Sequence, residues 1–541
     1  MIILQGEGAS RGVAFGQLHF FERSGPTVEQ RAVEDAEAEV RRFEDARAKA
    51  VAQLADLYTR TKKELGEENS LLFQIHQMML QDLDYGDAVT GKIRSGHVNA
   101  EYAVQQTARE FADMFANMDD AYMRGRAADV RDVSSRVIAI LSGTQMRQKP
   151  QAGGPCIIAA DDLAPSETAQ LDKSQVLAFV TAGGSRNAHT AIFARTMGIP
   201  AVICLADSLK PGYAGKEVIV DGSTGTVYID ADEKTRTAMS EKKQAEDTHK
   251  KLLALYRGRP TVTKGGRRIE LCANIGNPAD LDAVLANGAE GIGLFRSEFL
   301  YLERSDYPTE EQQFAAYKTV AERMAGKRAV IRTLDIGADK QAAYFNLPHE
   351  ENPAMGMRAI RICLTRTGVF KTQLRALYRA SAYGKVAIMF PMITSVGEVQ
   401  RCKALCAEVR GELSREGIPF SPSTELGIMI ETPAAAVVSD DLAREVDFFS
   451  VGTNDLTQYT LACDRQNASV AQFCDTHHKA ILRLIRMAAE SAHKAGIWIG
   501  ICGELGADEQ LTEAFLDMGI DELSVTPASI LGLRARISEL D

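Results

Sequence analysis

The chain has 541 residues, 45% hydrophobic and 25% charged, the balance of a globular protein with too much length for one core. Its formal net charge of −11 argues against nucleic acid, whose phosphates require a basic surface. Met1-Ile2-Ile3-Leu4 lacks the basic and apolar regions of a signal peptide, no window reaches the ~18 apolar residues of a membrane span, and nine scattered cysteines predict reduced thiols, so a cytoplasmic protein without direct membrane insertion is expected.

In chain order, Ile2–Leu4 and Gly12–Phe20 read as strands around a Gly-rich turn. From Val28 to Leu141 glycine and proline almost vanish and charge is dense. Val33, Ala36, Val40, Phe43, Ala50, Leu54 and Leu57 fall at three- and four-residue steps, missing only the Arg47 slot. The spacing predicts a long helix with one apolar stripe, followed by helices at Ser70–Gln81, Ala100–Met118 and Val130–Leu141. Short β-rich runs return at Cys156–Ala159, Val176–Val180, Ala201–Ile203, Glu217–Asp221 and Val227–Ile229. Because strands also open the chain, the helical stretch 21–147 is predicted to be an insertion into one α/β domain. Lys234–Tyr256 is charged and helical, a connector whose length lets its flanks move.

The second half carries eight apolar runs: Glu270–Ala273, Gly291–Leu294, Ala329–Arg332, Val386–Met389, Gly427–Ile430, Phe448–Val451, Trp498–Ile501 and Glu522–Val525. Amphipathic stretches such as Gln312–Ala325 and Ile481–Ala495 separate them, so a (β/α)8 barrel is predicted. In that fold chemistry gathers where strands end, and polar residues do end these runs: Arg296-Ser297-Glu298, Arg332-Thr333-Leu334-Asp335, Glu431-Thr432, Asn454-Asp455 and Cys502-Gly503-Glu504. Arginine forks clamp phosphate and carboxylate, while two carboxylates suit a magnesium ion that also touches a substrate phosphate.

Several segments carry a resemblance: Gly291-Ile292-Gly293-Leu294-Phe295-Arg296-Ser297-Glu298, Arg332-Thr333-Leu334-Asp335-Ile336-Gly337, Phe448-Phe449-Ser450-Val451-Gly452-Thr453-Asn454-Asp455, Arg126-Ala127-Ala128-Asp129-Val130-Arg131-Asp132-Val133 and Gly184-Ser185-Arg186-Asn187-Ala188-His189-Thr190. Along its whole length the chain resembles the enzyme I family, the phosphoenolpyruvate-protein phosphotransferases of bacterial sugar uptake. The resemblance implies a swivelling phosphohistidine domain (1–20 and 148–230), an inserted helical domain that docks the phosphocarrier protein HPr (21–147), a helical linker (231–260), and a phosphoenolpyruvate-binding and dimerising barrel (261–541). It implies hinges around 21–30, 144–150 and 230–260. It makes His189 the phosphorylated nucleophile and Cys502 the acid that protonates the departing enolate. Arg296, Arg332, Arg358, Asn454, Asp455 and Arg465 become substrate contacts, and Glu431 and Asp455 the ligands of Mg²⁺. Ser70–Leu80 resembles the docking segment, although its apolar residues also suit a bundle core; nearby Glu67, Glu68, Asp82 and Asp84 suit a basic partner.

The segment beside the histidine departs from the family at Ser185, Asn187 and Ala188, leaving Thr190 and the Asn187 amide as candidate phosphate contacts. Only 188 residues precede His189, so the ATP-binding domain of the related dikinases and synthases is not expected. The alternative is a catalytically impaired regulatory paralogue that binds HPr-like proteins. It would be favoured by loss of His189, Arg296, Glu431, Asp455 or Cys502, all of which are present.

Overall fold

The computed structural model describes residues 1–21, 28–65, 67–116, 121–143, 154–163, 165–168, 171, 175–184, 189–302, 304, 306–337, 343–465 and 467–541. The predicted hinges at 21–30 and 144–150, like the departures at Ser185, Asn187 and Ala188, fall wholly or partly outside these residues. The chain divides into two compact units, Met1–His249 and Lys250–Asp541.

The first unit is built on an eight-stranded sheet. Its strands are β1 (Ile2–Gln5), β2 (Glu7–Ser10), β3 (Val13–Phe20), β4 (Cys156–Ala160), β5 (Val176–Thr181), β6 (Ala201–Ile203), β7 (Glu217–Asp221) and β8 (Thr226–Ile229). They lie in the order β1-β8-β7-β3-β4-β5-β6-β2. β3, β4, β5 and β6 run parallel, which demands crossovers, and the edges are closed by antiparallel pairs. Strands buried on both faces explain the unbroken apolar runs: Ile157 and Ala159 pack on one side, Cys156, Ile158 and Ala160 on the other. Gly6–Gly12 had read as a turn, yet it contains β2. Gly8 permits this strand, because a Cβ there would overlap the Gly222 carbonyl.

Between the adjacent parallel strands β3 and β4 the described residues form five helices: α1 (Ala36–Leu65), α2 (Glu67–Gln81), α3 (Leu83–Gly96), α4 (Ala100–Ala116) and α5 (Ala121–Leu141). The α1 stripe is Val40, Phe43, Ala46, Ala50, Leu54 and Leu57. Ala46 takes the place the spacing gave to position 47, and Arg47 lies over the Phe43 ring and pairs with Glu44. Helix α3 was not predicted, because Gly86 and Gly91 interrupt it. Its signals were present nonetheless: Tyr85, Val89 and Ile93 are buried at four-residue steps, and Asp82 caps it by accepting from the Asp84 and Tyr85 N–H groups.

In α2, Phe73 and Leu80 are bundle core, whereas Met78 is 64% exposed. His76, fully buried, lies between two α5 carboxylates, with Nε2 3.2 Å from Asp129 Oδ1 and Nδ1 3.8 Å from Asp132 Oδ2. Burial alone would raise the Asp129 carboxyl, but His76 and Arg126 overcome it and hold it below its ordinary value. This clasp gives a structural reason for the polar residues of the segment Arg126–Val133.

The second unit is a closed parallel barrel of β9 (Glu270–Ile275), β10 (Ile292–Arg296), β11 (Ala329–Arg332), β12 (Val386–Phe390), β13 (Glu425–Ile430), β14 (Phe448–Val451), β15 (Trp498–Ile501) and β16 (Glu522–Val525). The predicted (β/α)8 architecture is therefore present, with each strand overlapping its predicted run. Outward residues such as Phe295, Ile331 and Ile388 join the surrounding helices in one core, while Leu294, Val330, Met389 and Met429 fill the interior. The floor, where the strands begin, is closed by Phe448 stacked on Trp498 at 4.4 Å and by Arg328, which lies 3.8 Å over the Trp498 ring. Arg328 also pairs with Glu270 and Glu522. Among the described residues, the one group of three with metal-ligand proximity is Glu270, Cys272 and Glu522, and there the guanidinium already supplies the positive charge.

Candidate active site

Four strand ends and the turns after them bring charged groups together at the opposite rim, where βα loops gather. Arg332 ends β11 and is 5% exposed. Its guanidinium donates to Glu298 Oε1 at 2.6 Å and pairs with Asp335 Oδ2 at 2.9 Å. Arg358, equally buried, reaches the other oxygen of Asp335 at 2.9 Å, the Tyr459 hydroxyl at 2.9 Å and Asp455 Oδ1 at 3.5 Å. One carboxylate thus braces two guanidinium forks. Burial would lower both arginines, but the surrounding carboxylates outweigh it and raise them, so both stay charged.

Glu431, 1% exposed, follows β13 and accepts from the Met392 N–H at 2.5 Å. Met392 adopts a left-handed φ of 56°, a conformation uncommon for a residue with a side chain. Burial first, then repulsion from Asp455 and Asp335, pushes the Glu431 carboxyl up to about 8 against the pull of Arg332 and Arg358. A buried carboxyl facing two more carboxylates is a site that favours an added cation. Gly452 keeps room beside it, since a Cβ there would press on Glu431 Oε2 at 3.0 Å. The residues present therefore fit a hard divalent ion with oxygen ligands.

Asp455 and Asn454 sit in the first turn of the helix Thr453–Leu461. Asp455 is 4.0 Å from Arg465, which is exposed at the rim, as is Arg296 at the end of β10. Cys502 follows β15, is 2% exposed and directs its Sγ at the Val451 carbonyl, 3.6 Å away. Burial pushes this thiol up to about 11, so it holds its proton at neutral pH.

His189 is the first residue of the helix His189–Met197; its side chain lies outside the described set. Thr190, expected as a phosphate contact, instead faces inward: it is 1% exposed, with its hydroxyl 3.4 Å from Asp162 Oδ1 and from the Leu163 carbonyl.

Matches to known families cover both units. Residues 250–541 match the PEP-utilising enzyme, PEP-binding domain, residues 5–126 the PEP-utilising enzyme, N-terminal, and residues 153–225 the PEP-utilising enzyme, mobile domain. The chain is 46% identical over 538 residues to the phosphoenolpyruvate-protein phosphotransferase of Priestia megaterium, covering 99% of this chain and 94% of that one. To the protein of the same name from Bacillus subtilis (strain 168) it is 45% identical over 537 residues, with the same coverage. The chain belongs to the phosphoenolpyruvate-protein phosphotransferase family. An NMR solution structure of an Enzyme I protein is 32% identical, covering 45% of this chain and 99% of that one, with a TM-score of 0.39.

Within this family member, sequence reasoning assigned no role to the residues that hold the arginines. Glu298 and Asp335 were visible as strand-end carboxylates, but nothing local says which guanidinium they brace. Gln373 gave no signal at all. Fully buried in the helix Thr367–Ser381, it accepts from the Leu334 N–H at 2.9 Å and donates to Ser297 Oγ at 3.1 Å, and Ser297 bonds the Arg332 carbonyl at 2.8 Å. Tyr459 gave no signal either, since its contact with Arg358 spans 101 residues.

Proposed function

We propose that the protein takes the phosphoryl group of phosphoenolpyruvate onto His189, releases pyruvate, and passes the phosphoryl group to a histidine of the phosphocarrier protein HPr. The observation that carries this reading is the barrel rim, where Arg332 and Arg358 are locked on Asp335 beside Glu431, Asp455 and a protonated Cys502. Family membership supports the same substrate. Arg296, Arg332, Arg358 and Arg465 bind the phosphoryl and carboxylate oxygens, and Asn454 orients the substrate. Glu431 and Asp455 would hold Mg²⁺, which when bound neutralises phosphoryl oxygen charge.

A His189 ring nitrogen attacks phosphorus, an N–P bond forms, and the bond from phosphorus to the enol oxygen breaks with its electron pair leaving on enolpyruvate. Cys502 then gives its proton to the methylene carbon, which makes pyruvate and leaves a thiolate to be reprotonated from solvent. Fixed, already charged arginines need no reorganisation as charge moves, which is where most of the rate enhancement of such a site resides.

In this reading, 1–20 and 148–230 form the phosphohistidine domain and 21–147 the HPr-docking insertion. Residues 231–260 are a linker, and 261–541 the substrate-binding barrel through which the protein forms a homodimer. Exposed Met78 and Leu83 with acidic Asp82 and Asp84 at the α2–α3 corner suit an apolar patch rimmed by lysines on a partner. No helix among the described residues is long and apolar enough to cross a membrane. The test is incubation with phosphoenolpyruvate labelled in its phosphoryl group and Mg²⁺. The expected product carries acid-labile, base-stable label that the His189→Ala variant lacks; equal label on that variant would overturn the assignment.

A further inference from the structure

Asn454 is clamped from a neighbouring strand end. Its Nδ2 donates to Glu504 Oε1 at 3.1 Å, and its Oδ1 accepts from the Glu504 backbone N–H at 3.0 Å. Both partners work in one direction only: a backbone N–H donates and an ionised carboxylate accepts. The pair therefore fixes which end of the amide is nitrogen and which is oxygen, a choice that surroundings otherwise decide. One Nδ2 hydrogen is spent on Glu504, and the other remains for an acceptor.

The same two segments meet at further points. Leu505 N–H donates to Thr453 Oγ1 at 3.4 Å, and Cys502 N–H to the Val451 carbonyl at 3.1 Å. Gly503 makes the approach possible, because a Cβ there would overlap Thr453 Oγ1. Asn454, Arg465 and Glu504 line one cavity of about 490 Å³ with Thr457, Cys474 and Asp508. Glu504 and Asp508 put two carboxylates in that wall beside Arg465; Asp508 is taken up by His477 Nε2 at 2.6 Å, and Glu504 by Asn454.

We infer that Glu504 is a positioning residue: it holds the Asn454 amide with an N–H toward the anionic substrate and ties the helix bearing Asp455 to the loop bearing Cys502. This role presupposes the phosphoenolpyruvate site proposed above. Through-space electrostatics and positioning give opposite signs for its removal. A carboxylate that acted only by its charge would repel the substrate, so its loss would tighten binding. A carboxylate that orients Asn454 would weaken binding when lost, because the freed amide can turn its carbonyl toward the substrate oxygens.

The experiment is single-turnover phosphorylation of the full chain by labelled phosphoenolpyruvate with Mg²⁺, read as a maximal rate and a half-saturating concentration. For Glu504→Ala the half-saturating concentration should rise roughly 10- to 100-fold, the loss of a hydrogen bond to a charged group, with a smaller fall in maximal rate. Glu504→Gln keeps the accepting oxygen and the backbone donor without the charge, and should stay within about twofold of the parent. In an Asn454→Ala background the Glu504→Ala penalty should disappear, as expected for two residues acting as one unit. A Glu504→Ala variant that binds as well as or better than the parent overturns the inference, as does a Gln variant as impaired as Ala, or a full penalty persisting without Asn454. A parent chain that takes no label overturns the phosphoenolpyruvate site itself.

Discussion

The barrel rim and the α2–α3 corner both gather charge, but they treat it differently. At the rim Arg332, Arg358 and Asp335 are each 5% exposed or less, and both guanidinium groups meet Asp335 at hydrogen-bond distance beside the buried Glu431. At the corner Asp82, Asp84, Leu83 and Met78 stand in solvent. Burial makes each rim charge depend on its partners, so the arrangement is rigid and fitted to a small, highly charged substrate. Exposure leaves the corner free to meet a protein surface, where each charge is worth little but steers encounter. A rim built this way should fail when one member is removed, and the corner should fail gradually.

The largest expected effect is at Asp335. Asp335→Ala strips two buried guanidinium groups of their shared partner and should cut phosphorylation by phosphoenolpyruvate roughly 100- to 1000-fold. Exchange with phosphorylated HPr should be unaffected, and thermal melting separates this from unfolding. An equal loss in both reactions would break the contrast between the regions.

Next comes Cys502. A thiol raised to about 11 by burial has its thiolate form only near that pH, so sign and function agree: it stays a proton donor through the neutral range. At pH 8 its alkylation by iodoacetamide should be on the order of 200-fold slower than a free cysteine, from thiolate fraction alone. Exposed Cys204 is an internal comparison, and peptide mapping by mass spectrometry reads both.

Met78→Asp should weaken HPr binding about tenfold by calorimetry, the scale of one exposed apolar contact, without changing phosphorylation by phosphoenolpyruvate. The smallest effect distinguishes two duties of Asp82. Asp82→Ala should cost about 1 kcal/mol of stability in urea melts by removing the α3 cap. Asp82→Asn keeps the cap and should alter only affinity for the partner.

The same contrast governs what the sequence revealed. Barrel strands were legible because parallel strands are covered on both faces and read as continuous apolar runs, and Arg332 and Glu431 stood out as polar interruptions at their ends. The parallel strands β4, β5 and β6 of the first unit were legible for the same reason, whereas β2 was not, because Gly8 looks like turn chemistry but serves close packing against Gly222. Helix α3 hid behind Gly86 and Gly91, although Tyr85, Val89 and Ile93 carried its period. Partners across long separations stayed invisible. Gln373 reaches Ser297 across 76 residues and Glu504 reaches Asn454 across 50, and no local pattern encodes such pairs. Thr190 was misread because a hydroxyl beside a proposed phosphohistidine suggests a ligand, whereas its environment is core.

In the proposed function the two units divide the reaction, with acceptance from a protein partner in one and chemistry on phosphoenolpyruvate in the other. The most direct measurement uses a chain of residues 1–249, the first compact unit, offered two phosphoryl donors in parallel. Label is expected on His189 from phosphorylated HPr and none from phosphoenolpyruvate with Mg²⁺, because every proposed substrate ligand lies beyond residue 249. A folded fragment that phosphoenolpyruvate labels unaided, or that phosphorylated HPr leaves unlabelled, would contradict it.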